Sequence, residues 1–295
     1  MMTQLSHLRS LHVAISPLWQ WPLAFLFLNL PVVASGLLWL VAFPADWELW
    51  EQVPGRLRAG TLYDQSSVYN WVWSPVAAWL IAFVIVPIGY GALMALRAAV
   101  LPLLGWRLAA LTITSLPFWV DAINGNLFVF SVIAGVVALR GNRWAAISFL
   151  ALTCLMPRPV QFPLAAWLLW KRPDVRLPFL AMVAVSGIVL GVTGYAVDWL
   201  NALVALAGRY GTPEVNLGPT RVFGAGWLIV GVPLAAWLAI QGRVGWAGMA
   251  LSPYLVPQYL LAILWELSPR GDQRSRLAES SAGSKGSAAP APASG

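Results

Sequence analysis

The run VWSPVAAWLIAFVIVPIGYGAL, residues 72–93, contains no charged side chain. A helix through it rises 1.5 Å per residue, enough to cross a hydrocarbon core that takes roughly 20 apolar residues. The run is continuously apolar rather than alternating, which argues against a transmembrane β-barrel strand. The reading is an all-α, polytopic transmembrane helical bundle. Composition agrees: 59% of the 295 residues are hydrophobic and 10% are charged, where a soluble domain carries roughly a quarter charged. Eighteen tryptophans suit interfacial belts, where an amphipathic ring sits at headgroup level.

Outward from this run, further apolar helices are predicted at about 18–43, 107–120, 126–139, 144–156, 159–170, 177–195, 224–240, 244–255 and 256–267. Together they give nine or ten membrane crossings. Several are too short to span alone, so they are expected to tilt, join end to end or pair as hairpins inside the bundle. Breaks fall at Pro157, Pro159, Pro253 and Pro257. The first apolar segment lacks a short core followed by a small-residue cleavage site and reads as a retained anchor.

The net charge of +7 is scattered through short turns, which indicates topology rather than a nucleic-acid stripe. Arg97 and Arg107, RGNR (140–143), KRPDVR (171–176) and QGR (241–243) alternate with turns poor in Lys and Arg. The positive-inside rule places these basic turns, and the amino-terminal segment 1–17 with Arg9, in the cytosol. The outer side of a plasma membrane then holds loops 44–71 and 196–223, the DAINGN turn (121–126) and MPRP (156–159). A tail over 268–295, rich in Ser, Ala, Gly and Pro, reads as a disordered cytosolic end beyond the single membrane domain 18–267. Arginine greatly outnumbers lysine, which with the Ala, Leu and Trp richness points to a GC-rich bacterium. The hexapeptide P-x-A-A-W-L recurs at Pro75–Leu80, Pro163–Leu168 and Pro233–Leu238. Each copy is expected to begin an inward-running helix with proline in its first turn.

A short way before the 72–93 run lies PADWELWEQVPGRLRAGTLYD, residues 44–64, where acids gather as nowhere else in the chain. Leu49, Trp50, Val53 and Leu57 form a stripe at helical spacing, with acids early and Arg56 and Arg58 late, as a helix dipole favours. The segment is predicted to be an amphipathic helix on the outer membrane surface, ended by Gly60. Glu48 and Glu51 read as its solvated face. Asp46, between Phe43 and Trp47, reads either as the N-cap or as a partly desolvated general base.

Arg158 stands between two prolines at a membrane break, either as a snorkelling cation or as a ligand for an anion. Arg209 and Arg221, in AGRYGTPEVNLGPTRVFG (207–224), are further anion candidates. Tyr254, Gln258 and Tyr259 follow Pro253 in the last segment. They either bond a substrate or satisfy the backbone that Pro253 and Pro257 leave open. Asp121 and Asn124 read as turn formers. Cys154 is the only cysteine, so neither a disulfide nor a thiolate metal site is expected. No metal or other cofactor is expected, because Asp46 with Glu48 or Glu51 falls short of a full oxygen shell.

Several of these stretches, in order, resemble one family. They are an aspartate after the first membrane helix, the amphipathic segment with GTLYD, Trp71–Pro75 (WVWSP), DAINGNLFVF, PRPVQFPLAAWLLWKR and SPYLVPQY. The set is similar to the polyprenyl-phosphate-mannose-dependent α-mannosyltransferases of glycosyltransferase family 87, with the multi-spanning GT-C fold. The family's G-Q-x-N stands here as Asn124-Gly125-Asn126, and its K-P as Arg158-Pro159. The chain is shorter than typical members, and its only histidines are His7 and His12. The resemblance implies a lipid-phosphate sugar donor, a lipid or glycan acceptor hydroxyl, and inverting transfer at the outer face. It implies Asp46 as general base and Arg158 as partner of the departing phosphate. Asn124, Arg209, Arg221, Tyr254, Gln258 and Tyr259 are the further candidates for donor or substrate contacts. The alternatives are a transporter or lipid flippase, for which paired inverted halves would be expected, and a non-catalytic envelope scaffold.

Overall fold

A computed structural model describes residues 17–35, 46–64, 73–209 and 216–268. The amino-terminal segment, most of the cysteine-free tail from Ser268 on, and Trp71 of WVWSP lie outside these residues. Among those described, every regular element is helical.

Helix α1 (Pro17–Ala34) is followed by α2 (Asp46–Ala59). Then come α3 (Pro75–Leu80), a π-helical stretch (Ile81–Ile85) and α4 (Val86–Val100). These last three form one helical run to Leu104 that is long and apolar enough to cross a membrane. Pro87 has no N–H for the carbonyl one turn back, and the helix widens to π geometry just before it. Gly89, at φ 85°, bends the run again.

Nine or ten crossings are not what the described residues hold. Three helical runs are long and apolar enough to cross: Pro75–Leu104, Pro173–Thr193 and Thr220–Ile240. The other apolar segments fold as α5 (Trp106–Ile113), α6 (Leu116–Ile123), α7 (Phe128–Leu139), α8 (Arg143–Leu155) and α9 (Phe162–Lys171). The longest of these, 13 residues, rises about 20 Å, short of the ~30 Å core. Pro117, Gly125, Gly141 and the 156–159 break cut the apolar stretches before they reach spanning length.

Beyond them run α10 (Arg176–Thr193), α11 (Ala196–Arg209), α12 (Thr220–Phe223), α13 (Trp227–Ile240) and α14 (Val244–Leu251). A 3₁₀ stretch (Pro257–Ile263) and α15 (Leu264–Leu267) complete the described chain. The segment expected as a loop over 196–223 thus begins as a helix. Helix α10 buries none of its residues, and α13 buries only Gly231 and Ala235. Apolar helices this bare need an apolar solvent, so the chain is a membrane protein.

Helix α7 is the opposite case. It is apolar all round and buried on nearly every face, as a central helix must be. Trp265 packs so closely over Gly135 that a Cβ there would lie 2.5 Å from its indole nitrogen. That nitrogen instead donates to the Val132 carbonyl at 3.1 Å. Gly248 likewise admits the Val160 carbonyl, the close backbone approach that small residues allow between membrane helices.

Two expectations change with the packing. The apolar stripe of α2 does not lie against lipid: Trp50 and Val53 are fully buried beside Ala77, Ala78 and Ile81. A protein surface offers the stripe closer contacts than a headgroup layer does. Pro233, in the third P-x-A-A-W-L copy, lies inside α13 rather than in its first turn. Pro75 and Pro163 do stand in the first turns of α3 and α9.

The basic turns gather at one end of α7. Arg140 donates to the carbonyls of Leu103 and Leu104, and Arg172 to that of Gly141. Arg243 pairs with Glu266 at 3.8 Å, and Ser268 reaches the Val136 carbonyl. The candidate site lies at the other end, roughly 18 Å away along twelve residues of helix.

Candidate active site

The DAINGN turn is the frame of the site. Helix α6 ends at Ile123, and Gly125 at φ 75° reverses the chain. The Asn126 N–H closes the turn on the Asp121 carbonyl at 2.9 Å. Gly125 is needed for a second reason, because the start of α2 lies directly on it. A Cβ at this position would sit 2.9 Å from the Trp47 Cβ, and the Trp47 N–H donates to the Asn124 carbonyl at 3.0 Å. Gly125→Ala should cost about 1–2 kcal/mol through the left-handed backbone alone. It should also displace α2, lowering both the melting temperature in detergent and any activity that needs Asp46. An unchanged melting curve would show that the turn tolerates a Cβ.

Asn126 joins the two charged groups that the sequence singles out. Its Nδ2 donates to Asp46 Oδ2 at 2.7 Å, across 80 residues of chain. Its Oδ1 accepts from Arg158 Nη2 at 2.8 Å and from the Phe128 N–H at 2.9 Å. The two donors on Oδ1 fix which way the amide faces, so the NH₂ group must point at the carboxylate.

Asp46 is the first residue of α2 and is half-buried. Loss of water around the carboxyl raises its pKa above the ordinary value. The Asn126 hydrogen bond, then Arg158 and Arg97, pull back against that rise. A carboxylate so placed is a stronger base than one in water.

Arg158 is 3% exposed. Its guanidinium lies 5.5 Å from both the Trp73 and Phe128 ring centroids, held between two aromatic faces. Its own N–H donates to Gln161 Oε1 at 3.1 Å as the 3₁₀ turn Pro159–Gln161 begins. Trp73 is placed by Ser74, whose hydroxyl donates to the Leu155 carbonyl at 2.9 Å and caps α3. The guanidinium is turned toward Asn126 rather than out to water, so it does not snorkel.

Arg97 is a correction. The expectation of a cytosolic loop residue fails, because Arg97 is 1% exposed inside α4. The Gly89 bend directs this part of the run beneath the DAINGN turn. There Arg97 donates to the carbonyls of Asp121, Ala122 and Asn126, and pairs with the Asp121 carboxylate at 3.7 Å. Sequence reasoning also passed over the Asn126 side chain. The available signal for Arg97 was its place as the one charge in the apolar stretch 75–104.

The remaining candidates divide. Asn124 spends its side chain on the Val120 carbonyl at 2.8 Å, a turn role. Tyr259 is buried and its ring packs on Phe128 at 5.1 Å, one residue layer from Arg158. Gln258 Oε1 is buried and accepts no hydrogen bond among the described residues. The Tyr254 carbonyl accepts from the Ser252 hydroxyl. Arg221 is exposed on α12, and its segment is hydrogen-bonded to residues 253–255 through Asn216 and Leu217. The Arg209 side chain lies outside the described residues. Glu51 accepts from the Trp47 indole at 2.8 Å, and Glu48 is exposed. Among the described residues no group of three His, Cys, Asp or Glu could hold a metal ion.

No protein-family model, curated protein or solved structure matches this chain.

Proposed function

We propose that this membrane protein is a GT-C-like glycosyltransferase. In this reading it moves a sugar, most simply mannose, from a polyprenyl-phosphate donor to a hydroxyl on a lipid or glycan at the outer membrane face. One observation carries the reading: the Asn126 amide holds a half-buried carboxylate on one side and a buried guanidinium on the other. Single-displacement transfer needs that pair. Asp46 takes the acceptor proton, the acceptor oxygen bonds to the anomeric carbon, and the bond from that carbon to the lipid phosphate breaks. The departing phosphate carries the new negative charge to Arg158, in surroundings where a cation counts far more than in water.

Two further features support it. The basic turns lie at the end of α7 opposite the site, so the positive-inside rule turns the site outward. Beside α2, a cavity of about 590 Å³ is walled by Pro54, Leu57, Trp79, Ala82 and Phe83, with Arg58 at its edge. An isoprenoid chain entering from the bilayer would find an apolar wall there.

The test is purified protein with labelled polyprenyl-phosphate-mannose and an envelope lipid extract, scored for labelled product. Wild-type protein should transfer the label. Arg158→Ala should strongly reduce turnover, and Arg158→Lys should keep part of it, since the charge survives without the planar fork. Full turnover by Arg158→Ala at normal protein level would remove Arg158 from the reaction. No transfer from any polyprenyl-phosphate sugar would sink the reading.

A further inference from the structure

At the basic end of the bundle, far from Asp46, lies a cavity of about 1220 Å³ between α1, α5 and the 101–105 turn. Its walls are largely apolar, with Trp21, Phe25, Leu108 and Leu111 among them. Arg107 and Arg140 line it as well. Arg107 is exposed and lies over the Trp106 ring at 5.1 Å. Arg140 donates to the Leu103 and Leu104 carbonyls, which fix its guanidinium at the cavity edge.

One carboxylate also borders the cavity. Glu266 turns Oε1 to the Gly245 N–H at 2.7 Å and lies 3.8 Å from Arg243, so a cation outside the cavity answers its charge. The cavity therefore combines an apolar wall with two guanidinium groups, and its one lining carboxylate is turned toward Arg243. Arg143, Lys171 and Arg172 lie at the same end, the two arginines sharing the Asp174 carboxylate.

We propose that this cavity binds one anionic glycerophospholipid from the leaflet at the basic end. Its phosphate would lie at Arg107 and Arg140 and its acyl chain along α1 and α5. Basic pockets between membrane helices on the positive side select anionic headgroups in this way. The site is separate from the transfer reaction: roughly 18 Å of α7 divides it from Asn126. Neither reading rests on the other.

Native mass spectrometry of the full chain in detergent tests the proposal, with phosphatidylglycerol and phosphatidylcholine of identical acyl chains as probes. Wild-type protein should retain one phosphatidylglycerol in clear preference to phosphatidylcholine. Arg107→Gln should lower that retention about five-fold, the factor one basic residue contributes beside an anionic headgroup. Arg143→Gln, at the same end but outside the cavity, should not lower it. Ala110→Trp fills the cavity without changing charge and should abolish retention of both lipids. Should Ala110→Trp fail to fold, the exposed Arg107 still decides. Equal retention of the two lipids, or equal losses in Arg107→Gln and Arg143→Gln, would overturn the proposal in favour of diffuse surface attraction. No retained lipid would also overturn it, and would leave the cavity to the chain's own segments 1–16 or 269–295.

Discussion

Replacing Asp46 by asparagine should leave the protein folded in the membrane and lower sugar transfer by about 10²–10⁴, the usual effect of losing a general base. The substitution keeps the shape of the side chain and an oxygen able to accept the Asn126 hydrogen bond. Asparagine also caps a helix as well as aspartate does, so any capping role at the start of α2 survives. Only basicity is lost. Glu48→Gln and Glu51→Gln should remain active, since Glu48 is exposed and Glu51 serves the Trp47 indole. The pH profile gives an independent reading. Burial raises the Asp46 pKa, and only the deprotonated form accepts a proton. Transfer should therefore fall as pH drops through a midpoint above the ordinary carboxylate range. Near-normal transfer by Asp46→Asn would eliminate Asp46 as the base and reopen the transporter reading.

The second large effect concerns Arg97. Removing its charge in Arg97→Met strands the Asp121 carboxylate, 0% exposed, and releases three carbonyls of the turn that holds Asn126. Breaking one side of a buried ion pair costs about 3–5 kcal/mol, whereas removing both charges costs much less. Arg97→Met should therefore melt far below wild type in detergent, and Arg97→Met with Asp121→Asn should recover part of the loss. Activity should not recover in step. The double variant still lacks the donors that fix the Asn126 carbonyl, so Asp46 and Arg158 lose their common support. If Arg97→Met keeps wild-type melting and transfer, the buried network is incidental to the site.

The two cases differ in what the sequence made visible. Asp46 stood out because acids are rare in this chain and it falls where an amphipathic segment leaves an apolar run. Arg158 stood out because a cation between two prolines at a membrane break has few bland explanations. Arg97 was misplaced because the 72–93 run was ended too early. The structure carries the helical run to Leu104, with Gly89 as a bend rather than an end. A linear pattern does not reveal such a bend, since a glycine in an apolar helix reads the same whether its φ is positive or negative.

Composition and apolar run length alone determined that the chain is all-α and seeks a membrane. Both follow from the cost of leaving backbone polar groups unpaired in hydrocarbon. Helical spacing alone gave α2, with its apolar stripe and its polar face, but only the fold turned that stripe onto Ala77, Ala78 and Ile81 instead of lipid. The number of long apolar helices was decided only in three dimensions. Whether a 13-residue apolar segment crosses lipid or packs inside a bundle depends on its neighbours, and α7 has protein on nearly every side. The bridge through Asn126 was likewise beyond the sequence. It joins residues 46, 126 and 158, whose meeting depends on the left-handed turn at Gly125, the Gly89 bend and the packing of Trp47 on that turn.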